Sequence, residues 1–124
     1  MIGYATVGTN DLARATAFFD AVFGEMGGKR AWSNERMAGW AAAKNAPMLM
    51  VTKPFDGKPA TGGNGTMIAL AAADQDTVNK VHAKAMSLGG KDEGAPGLRG
   101  DNFYGAYFRD LDGNKFVAFV MVKK

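Results

Sequence analysis

The feature that most constrains this chain of 124 residues is an internal repeat of its secondary-structure pattern. A strand, an amphipathic helix and up to three further strands occur in about residues 1–53 and again in about residues 66–124. GYATVGTNDL parallels TMIALAAADQ, and MAGWAAAKNAPMLM parallels YGAYFRDLDGNKFV. One β-α-β-β-β module is too small to bury both faces of its sheet, so two copies must pack together. We therefore expect a single α+β domain whose modules form a curved mixed sheet around a cleft.

Both predicted helices have a cap residue before them and an apolar stripe along them. Asn10 or Asp11 can accept hydrogen bonds from the free N–H groups of the first turn, and Asp74 can do so for the second helix. Residues at spacings of three and four form the stripes: Leu12, Ala15, Phe19 and Val22, then Val78, Val81, Ala85 and Leu88. Gly24 and the pair Gly89-Gly90 are the expected helix ends.

The predicted strands follow from short runs of β-branched, aromatic and small residues between turn signals. They cover residues 2–8, 29–33, 36–43, 47–53, 66–73, 103–110 and 114–122. The Gly-, Pro- and Thr-rich segment 54–65 is a linker, and KDEGAPGLRGDN is turn-rich with at most one short strand. Leu111-Asp112-Gly113 predicts a hairpin turn. In the repeat alignment Trp40 matches Tyr107 and Met50 matches Val117.

Composition excludes several classes of function. The absence of cysteine excludes disulfides, thiolate catalysis and zinc fingers. The net charge of +3 is mild, and no basic run is longer than Lys123-Lys124, so nucleic acid is not an expected partner. No stretch reaches about 18 apolar residues, so no membrane span is expected. The start of the chain resembles no secretion signal, and the cytoplasm is the expected compartment.

Several local motifs favour structural over chemical roles. His82, the single histidine, is expected to be partly exposed on a helix that points away from the cleft. RDLDGNK lacks the later glutamate of a calcium loop, and GGNGT lacks the ending of a phosphate loop. Asp101, Asp110 and Asp112 offer no pair that can be placed on opposite sides of a cavity, so a glycosidase-type dyad is not supported.

Four segments together carry a resemblance that covers the whole chain: VGTNDLARATAFFDAVF, PFDGKPATGGNG, EGAPGLR at residues 93–99 and RDLDGNKF at residues 109–116. In this combination the sequence resembles the vicinal oxygen chelate superfamily, which includes glyoxalase I, bleomycin-resistance proteins and extradiol dioxygenases. The resemblance implies a cupped mixed sheet and usually a homodimer. It is less specific for function, because one fold can host many activities.

The metal enzymes of that family hold a divalent ion with one His, Gln or Glu side chain from each of four strands. Carried over position by position, these ligands fall on Tyr4, Met50, Met67 and Val117. Valine cannot bind a metal, and thioethers bind hard or borderline divalent ions hardly at all. One phenol does not make a site. The resemblance therefore implies a cup without a metal, and no cofactor is expected.

Other residues could allow such a cup to bind a small molecule. In the family the segment around Arg99 borders the cup's mouth, where a guanidinium could hold an anionic or carbonyl-bearing ligand or anchor a loop. Strand alternation places Met48 beside Met50, and by parity Lys115, Phe119 and Met121 face the cup as well. Methionine suits pockets for varied apolar guests, but it could also fill the former metal space and leave no cavity.

Three functions remain open. The first is a metal-free homodimer that binds a small, partly apolar molecule at Tyr4, Met50, Met67, Arg99 and Val117. The second is a glyoxalase- or dioxygenase-related enzyme that uses Tyr4 or Arg99 without a metal or has a metal site elsewhere. The third is a non-catalytic interaction protein with a vestigial cup.

Overall fold

A computed structural model of the chain describes residues 1–122, and the last two residues of the second predicted module lie outside the described part. The first module contains β1 (Tyr4–Gly8), α1 (Leu12–Gly24), β2 (Lys29–Ser33), β3 (Met37–Ala41) and β4 (Met48–Thr52). The second contains β5 (Ile68–Ala71), α2 (Gln75–Ser87), β6 (Lys91–Arg99), β7 (Phe103–Arg109) and β8 (Lys115–Met121). No helix in residues 1–122 is long and apolar enough to cross a membrane.

The two modules have the same sheet topology. The first sheet has the strand order β1-β4-β3-β2 and the second has the order β5-β8-β7-β6. In each sheet the first strand of the module pairs in parallel with the last, and the other pairs are antiparallel. The α+β prediction with two β-α-β-β-β modules is confirmed. Within one chain each module has its own four-stranded mixed sheet.

One hydrophobic core lies between the two sheets and contains the apolar faces of both helices. The Phe19 ring of α1 contacts Trp40 of the first sheet and Phe116 of the second, with ring centroids 5.6 and 5.5 Å apart. Helix α1 packs on strands of the first sheet and α2 on strands of the second. Each sheet therefore has one face on the shared core and one face without a helix.

We call these helix-free sides the open faces, and strand register with burial defines them. The open face of the first sheet carries Tyr4, Thr6, Trp32, Gly39, Met48 and Met50. The open face of the second sheet carries Arg99, Phe103, Gly105, Tyr107, Lys115, Val117 and Phe119. Residues that alternate with these, such as Val51 and Ala118, are fully buried in the core.

The helix caps follow the sequence closely. The Asp11 carboxylate accepts a hydrogen bond from the Arg14 N–H at 3.1 Å, and that of Asp74 accepts from the Thr77 N–H at 2.8 Å. The left-handed residue after α1 is Gly27, with φ of 80°, and not Gly24, which is the last residue of the helix. Phe18 and Phe23, which were not assigned to the apolar stripe, are also buried in the core.

Strand β6 corrects the prediction of a turn-rich segment at residues 91–102. It is a strand of nine residues with register shifts between Asp92 and Gly94 and between Gly94 and Gly97. Glycine and proline lower the local strand propensity, but the backbone hydrogen bonds to β7 hold the segment extended. Bulges of this kind bend a strand and change the direction in which its side chains point.

The β7–β8 turn joins the two modules. The Asp112 carboxylate accepts hydrogen bonds from Thr9 Oγ1 at 2.6 Å and from the Asn10 N–H at 2.9 Å. It also pairs with Arg14 at 3.1 Å, and its side chain is only 2% exposed. The Asn114 side chain donates to the carbonyl of Gly8 at 2.9 Å. This cluster fixes the turn of one module against the start of the helix of the other.

Candidate functional site

The open face of the first sheet has a recess at Gly39 that is filled by methionine. In the register across the sheet, Gly39 lies opposite Met50, and Met50 lies opposite Thr6. A Cβ atom added at Gly39 would lie 2.7 Å from the Met48 Cε atom and closer still to the Met50 sulfur. Met50 is therefore only 6% exposed, although no helix covers this face. The absence of a side chain at Gly39 lets the thioethers lie flat on the sheet.

Two aromatic side chains flank these methionines. Tyr4 pairs in register with Met48 on edge strand β1 and is 65% exposed. Trp32 pairs with Gly39 and is 47% exposed. Plain alternation gives Arg30 and Trp32 the same side of β2, so Trp32 was not expected on this face. A register shift between these two residues sends Arg30 toward Asp20 on α1 and Trp32 to the open face.

The open face of the second sheet is aromatic and cationic. The rings of Phe103 and Phe119 stack with centroids 5.2 Å apart and 4° between their planes. Beside them, the Arg99 guanidinium lies 5.5 Å from the centroid of Tyr107 and the Lys115 ammonium lies 5.7 Å from it. Val117 pairs with Tyr107 in register and is 1% exposed, so it forms the floor of this face.

Met67 lies in a third environment, just before β5. It is 43% exposed and lines an apolar cavity of about 660 Å³ between β5 and the first sheet. Met48, Trp40 and Leu70 also line this cavity. A more polar cavity of about 720 Å³ near the start of α1 contains none of the predicted site residues.

The structure does not bring the five predicted site residues together within one chain. Tyr4 and Met50 lie on the open face of the first sheet, whereas Arg99 and Val117 lie on that of the second. Because both sheets pack on the shared core with their other faces, the two open faces point away from each other. Their role as one site stays a prediction, and it requires a surface from outside the single chain.

The four positions to which the family resemblance assigns metal ligands do not fit a divalent ion. The groups at these positions are the exposed phenol of Tyr4, the thioether of Met50 packed over Gly39, the thioether of Met67 beside an apolar cavity and the buried isopropyl group of Val117. Within residues 1–122, no three His, Cys, Asp or Glu side chains lie close enough together to hold a metal. The side chains at these positions provide too few nitrogen and oxygen donors for Zn or Ni.

The prediction that His82 is partly exposed is wrong. His82 is 8% exposed, and its Nε2 atom lies 3.0 Å from the Asp92 Oδ1 atom on β6. The Gly94 N–H and His82 both stabilise the Asp92 carboxylate and hold its pKa below the ordinary value. This pair lies at the contact between α2 and β6, on the helix side of the second sheet.

The structure also corrects one match in the repeat. Trp40 pairs with Leu49 and faces the core, as Phe108 does opposite Phe116 in the second sheet. Trp40 therefore matches Phe108, and Gly39 matches Tyr107. A shift of one residue exchanges the two faces of a strand, so the first alignment had matched a core residue with an open-face residue.

Comparison with known proteins identifies relatives over nearly the whole chain. Residues 1–118 match the family described as Glyoxalase/Bleomycin resistance protein/Dioxygenase superfamily. A crystal structure of a glyoxalase/bleomycin resistance protein from Albidiferax ferrireducens T118 has 35% sequence identity and a TM-score of 0.89, over 97% of this chain and 98% of that one. No curated protein matches the chain.

More distant structures share the fold alone. One is a glyoxalase/bleomycin resistance protein/dioxygenase family enzyme from Burkholderia phytofirmans PsJN, with 17% identity and a TM-score of 0.77 over 97% of this chain and 98% of that one. Another is TioX from Micromonospora sp. ML1, with 16% identity and a TM-score of 0.70 over 98% of this chain and 99% of that one.

Proposed function

The chain belongs to the Glyoxalase/Bleomycin resistance protein/Dioxygenase superfamily, and from this premise we propose that it binds a small, partly apolar molecule without using a metal. One observation carries the proposal: at the positions where the family resemblance expects metal ligands, this chain has one phenol, two thioethers and an isopropyl group. Such side chains favour apolar or aromatic guests and adapt to their shape. We further propose that the protein works in the cytoplasm, where a chain without cysteine is unaffected by a reducing environment.

A second copy of the chain is needed to close the site. Strands β1 and β5 are edge strands, so each has a row of backbone groups available for pairing. Tyr4 on β1 and Ala69 on β5 are both exposed in the single chain. We propose a homodimer with twofold symmetry in which the first sheet of each protomer lies beside the second sheet of its partner. The two open faces then line the same cleft, and each dimer contains two such clefts.

Ligand binding can be tested with the neutral aromatic alcohol 2-naphthalenemethanol. A ligand of the folded protein raises the melting temperature by mass action, and equilibrium dialysis then gives the dissociation constant. Tyr4→Ala should weaken binding by about tenfold, as expected for loss of a buried aromatic contact of about 1.4 kcal/mol. The melting temperature without ligand should change little, because Tyr4 is 65% exposed in the single chain and does not belong to the core of residues 1–122; sedimentation checks that the variant keeps the mass of the parent. Phe55→Ala removes an aromatic ring that is 89% exposed on the linker and serves as the control.

The experiment has a clear opposing result. If neither melting temperature nor dialysis detects the alcohol at millimolar concentration, the apolar-ligand function is wrong. If Tyr4→Ala and Phe55→Ala bind it equally well, binding occurs away from the open face of the first sheet.

A further inference from the structure

The open face of the second sheet contains two cations that have no carboxylate partner within residues 1–122. No carboxylate oxygen in residues 1–122 lies within 4.0 Å of the charged nitrogens of Arg99 or Lys115. Both side chains are partly buried, so each has lost part of its hydration. The carboxylate of Glu93 on the same strand as Arg99 is paired with Arg109 and Lys91. The positive charge at Arg99 and Lys115 is thus not balanced by the neighbouring acid.

Strand β6 provides the hydrogen-bond acceptors and the space that position the Arg99 side chain. The guanidinium donates to the carbonyl of Gly97 at 2.9 Å and to that of Ala95 at 2.7 Å. A Cβ atom at Gly97 would lie 3.3 Å from Nη1, and one at Gly94 would lie 3.0 Å from Nη2. Glycine at both positions lets the planar group lie against the strand. The two carbonyls fix its orientation and leave further N–H donors for a ligand.

Tyr107 lies beside both cations and gives the site an apolar surface. Its ring is within cation–π distance of both Arg99 and Lys115. The stacked pair of Phe103 and Phe119 continues this surface along the sheet. The arrangement combines three aromatic rings with two positive charges beside one of them.

From this geometry we propose that Arg99 and Lys115 select a small organic anion, a carboxylate attached to a planar apolar body. The guanidinium fork matches the two oxygens of a carboxylate, and the Lys115 ammonium adds a second charge contact. The planar body of the ligand would lie on the rings of the open face. This inference rests on the proposed function, because it names the class of molecule that the same cleft takes.

The test compares three probes: 2-naphthoate, the neutral 2-naphthalenemethanol and acetate. We expect 2-naphthoate to bind about tenfold or more tightly than the alcohol at low salt, since a charged hydrogen bond is worth about that factor or more. Raising the salt concentration should reduce this advantage, because the cations are partly exposed. Acetate, which has the charge without the planar body, should bind more weakly than either aromatic probe.

Variants assign the effect to the two cations. Arg99→Met and Lys115→Met should each weaken 2-naphthoate binding by about tenfold and weaken binding of the uncharged alcohol clearly less. Arg99→Lys keeps the charge and loses the fork, so its affinity should lie between those of the parent and Arg99→Met. Lys58→Met removes one exposed positive charge on the linker and should change neither affinity. Melting temperatures of all variants without ligand report whether the fold is intact.

The outcomes separate the two proposals. If the alcohol binds as tightly as 2-naphthoate, or if 2-naphthoate binding survives both methionine variants, the anion inference is wrong and the apolar site stands. If neither aromatic probe binds, the proposed function is wrong together with this inference.

Discussion

At the residue scale, the four positions to which the family resemblance assigns metal ligands show how side-chain chemistry limits a site. Tyr4 and Met67 match each other in the repeat, as do Met50 and Val117, so the first module supplies one phenol and one thioether and the second supplies one thioether and one isopropyl group. No compensating His, Asp or Glu cluster occurs in residues 1–122. An ion at these positions would lose water ligands and gain almost no protein donors in return.

The first prediction concerns metal retention. Protein purified without an affinity tag, incubated with Zn, Ni, Mn or Fe and then desalted, should keep well under one ion per chain. Met67→His should not restore retention, because one imidazole leaves the other three positions without strong donors. Elemental analysis measures the metal content of the parent protein and of Met67→His. Stoichiometric metal in the parent protein that is lost in Tyr4→Ala would contradict the placement of the ligand positions.

At the element scale, the sequence predicted helices and caps better than strand faces. Asp11 and Asp74 are found at the caps because a single carboxylate before an apolar stripe determines a helix start. The face of Trp32 and the full length of the strand at residues 91–99 were not predicted, because both depend on β-bulges. A bulge arises from pairing with a distant strand, and no local pattern in the sequence records it.

The candidate site was predictable only in part. Alternation correctly gave Met48, Met50, Lys115 and Phe119 to the faces without helices. The direction in which each whole sheet faces depends on how the modules pack, which residue spacing does not encode. The position of the Arg99 guanidinium likewise depends on Gly94 and Gly97, in a segment that was expected to be turn-rich with at most one short strand.

The second prediction concerns Asp20, which connects α1 to the first sheet. Its carboxylate accepts from the Trp40 indole N–H at 2.9 Å and from the Arg30 Nε–H at 3.2 Å. The hydrogen bond from Arg30, followed by that from Trp40, holds the pKa of Asp20 below its ordinary value of 3.8. Because the folded pKa is the lower one, this stabilisation is present above pH 3.8 and is lost as the pH falls through the folded pKa.

Asp20→Asn should therefore reduce the free energy of unfolding at pH 7 by about 1 kcal/mol, a modest value because the pair is partly exposed. The difference from the parent should shrink as the pH is lowered below 4. Urea unfolding at several pH values measures it. Ala17→Asn places the same residue type on the exposed side of α1 and should differ from the parent by a constant amount. If the difference in free energy of unfolding between Asp20→Asn and the parent also stays the same at every pH, the Asp20 charge does not stabilise the fold.

At the scale of the whole molecule, the shared core and the Asp112 cluster fix the orientation of the sheets. Phe19 contacts both sheets, and Asp112 bonds to the start of α1 from the other module. These contacts leave both open faces and the edges of β1 and β5 uncovered. The chain therefore exposes uncovered apolar surface at two separate places. This arrangement is expected of a protein that forms an oligomer.

The third prediction concerns that assembly. Sedimentation at micromolar concentration should give about twice the chain mass of 13.1 kDa. Ala69→Lys should shift the protein toward monomers, because it places a charge on the exposed side of β5 at the proposed interface. Ala83→Lys adds the same charge on the exposed surface of α2 and should remain dimeric. A monomeric parent protein would contradict the proposed dimer.

The opposite orientation of the two open faces has a consequence for genetics. In a dimer built as proposed, the two halves of one cleft come from different protein chains. Two alleles, each with a defect in a different half, can therefore complement each other. Mixing Tyr4→Ala with Arg99→Met subunits and allowing exchange yields mixed dimers with one cleft that carries both lesions and one that carries neither. With equal amounts and random exchange, about one quarter of all clefts should regain parental affinity for 2-naphthoate. A cleft formed within a single chain could not be repaired in this way.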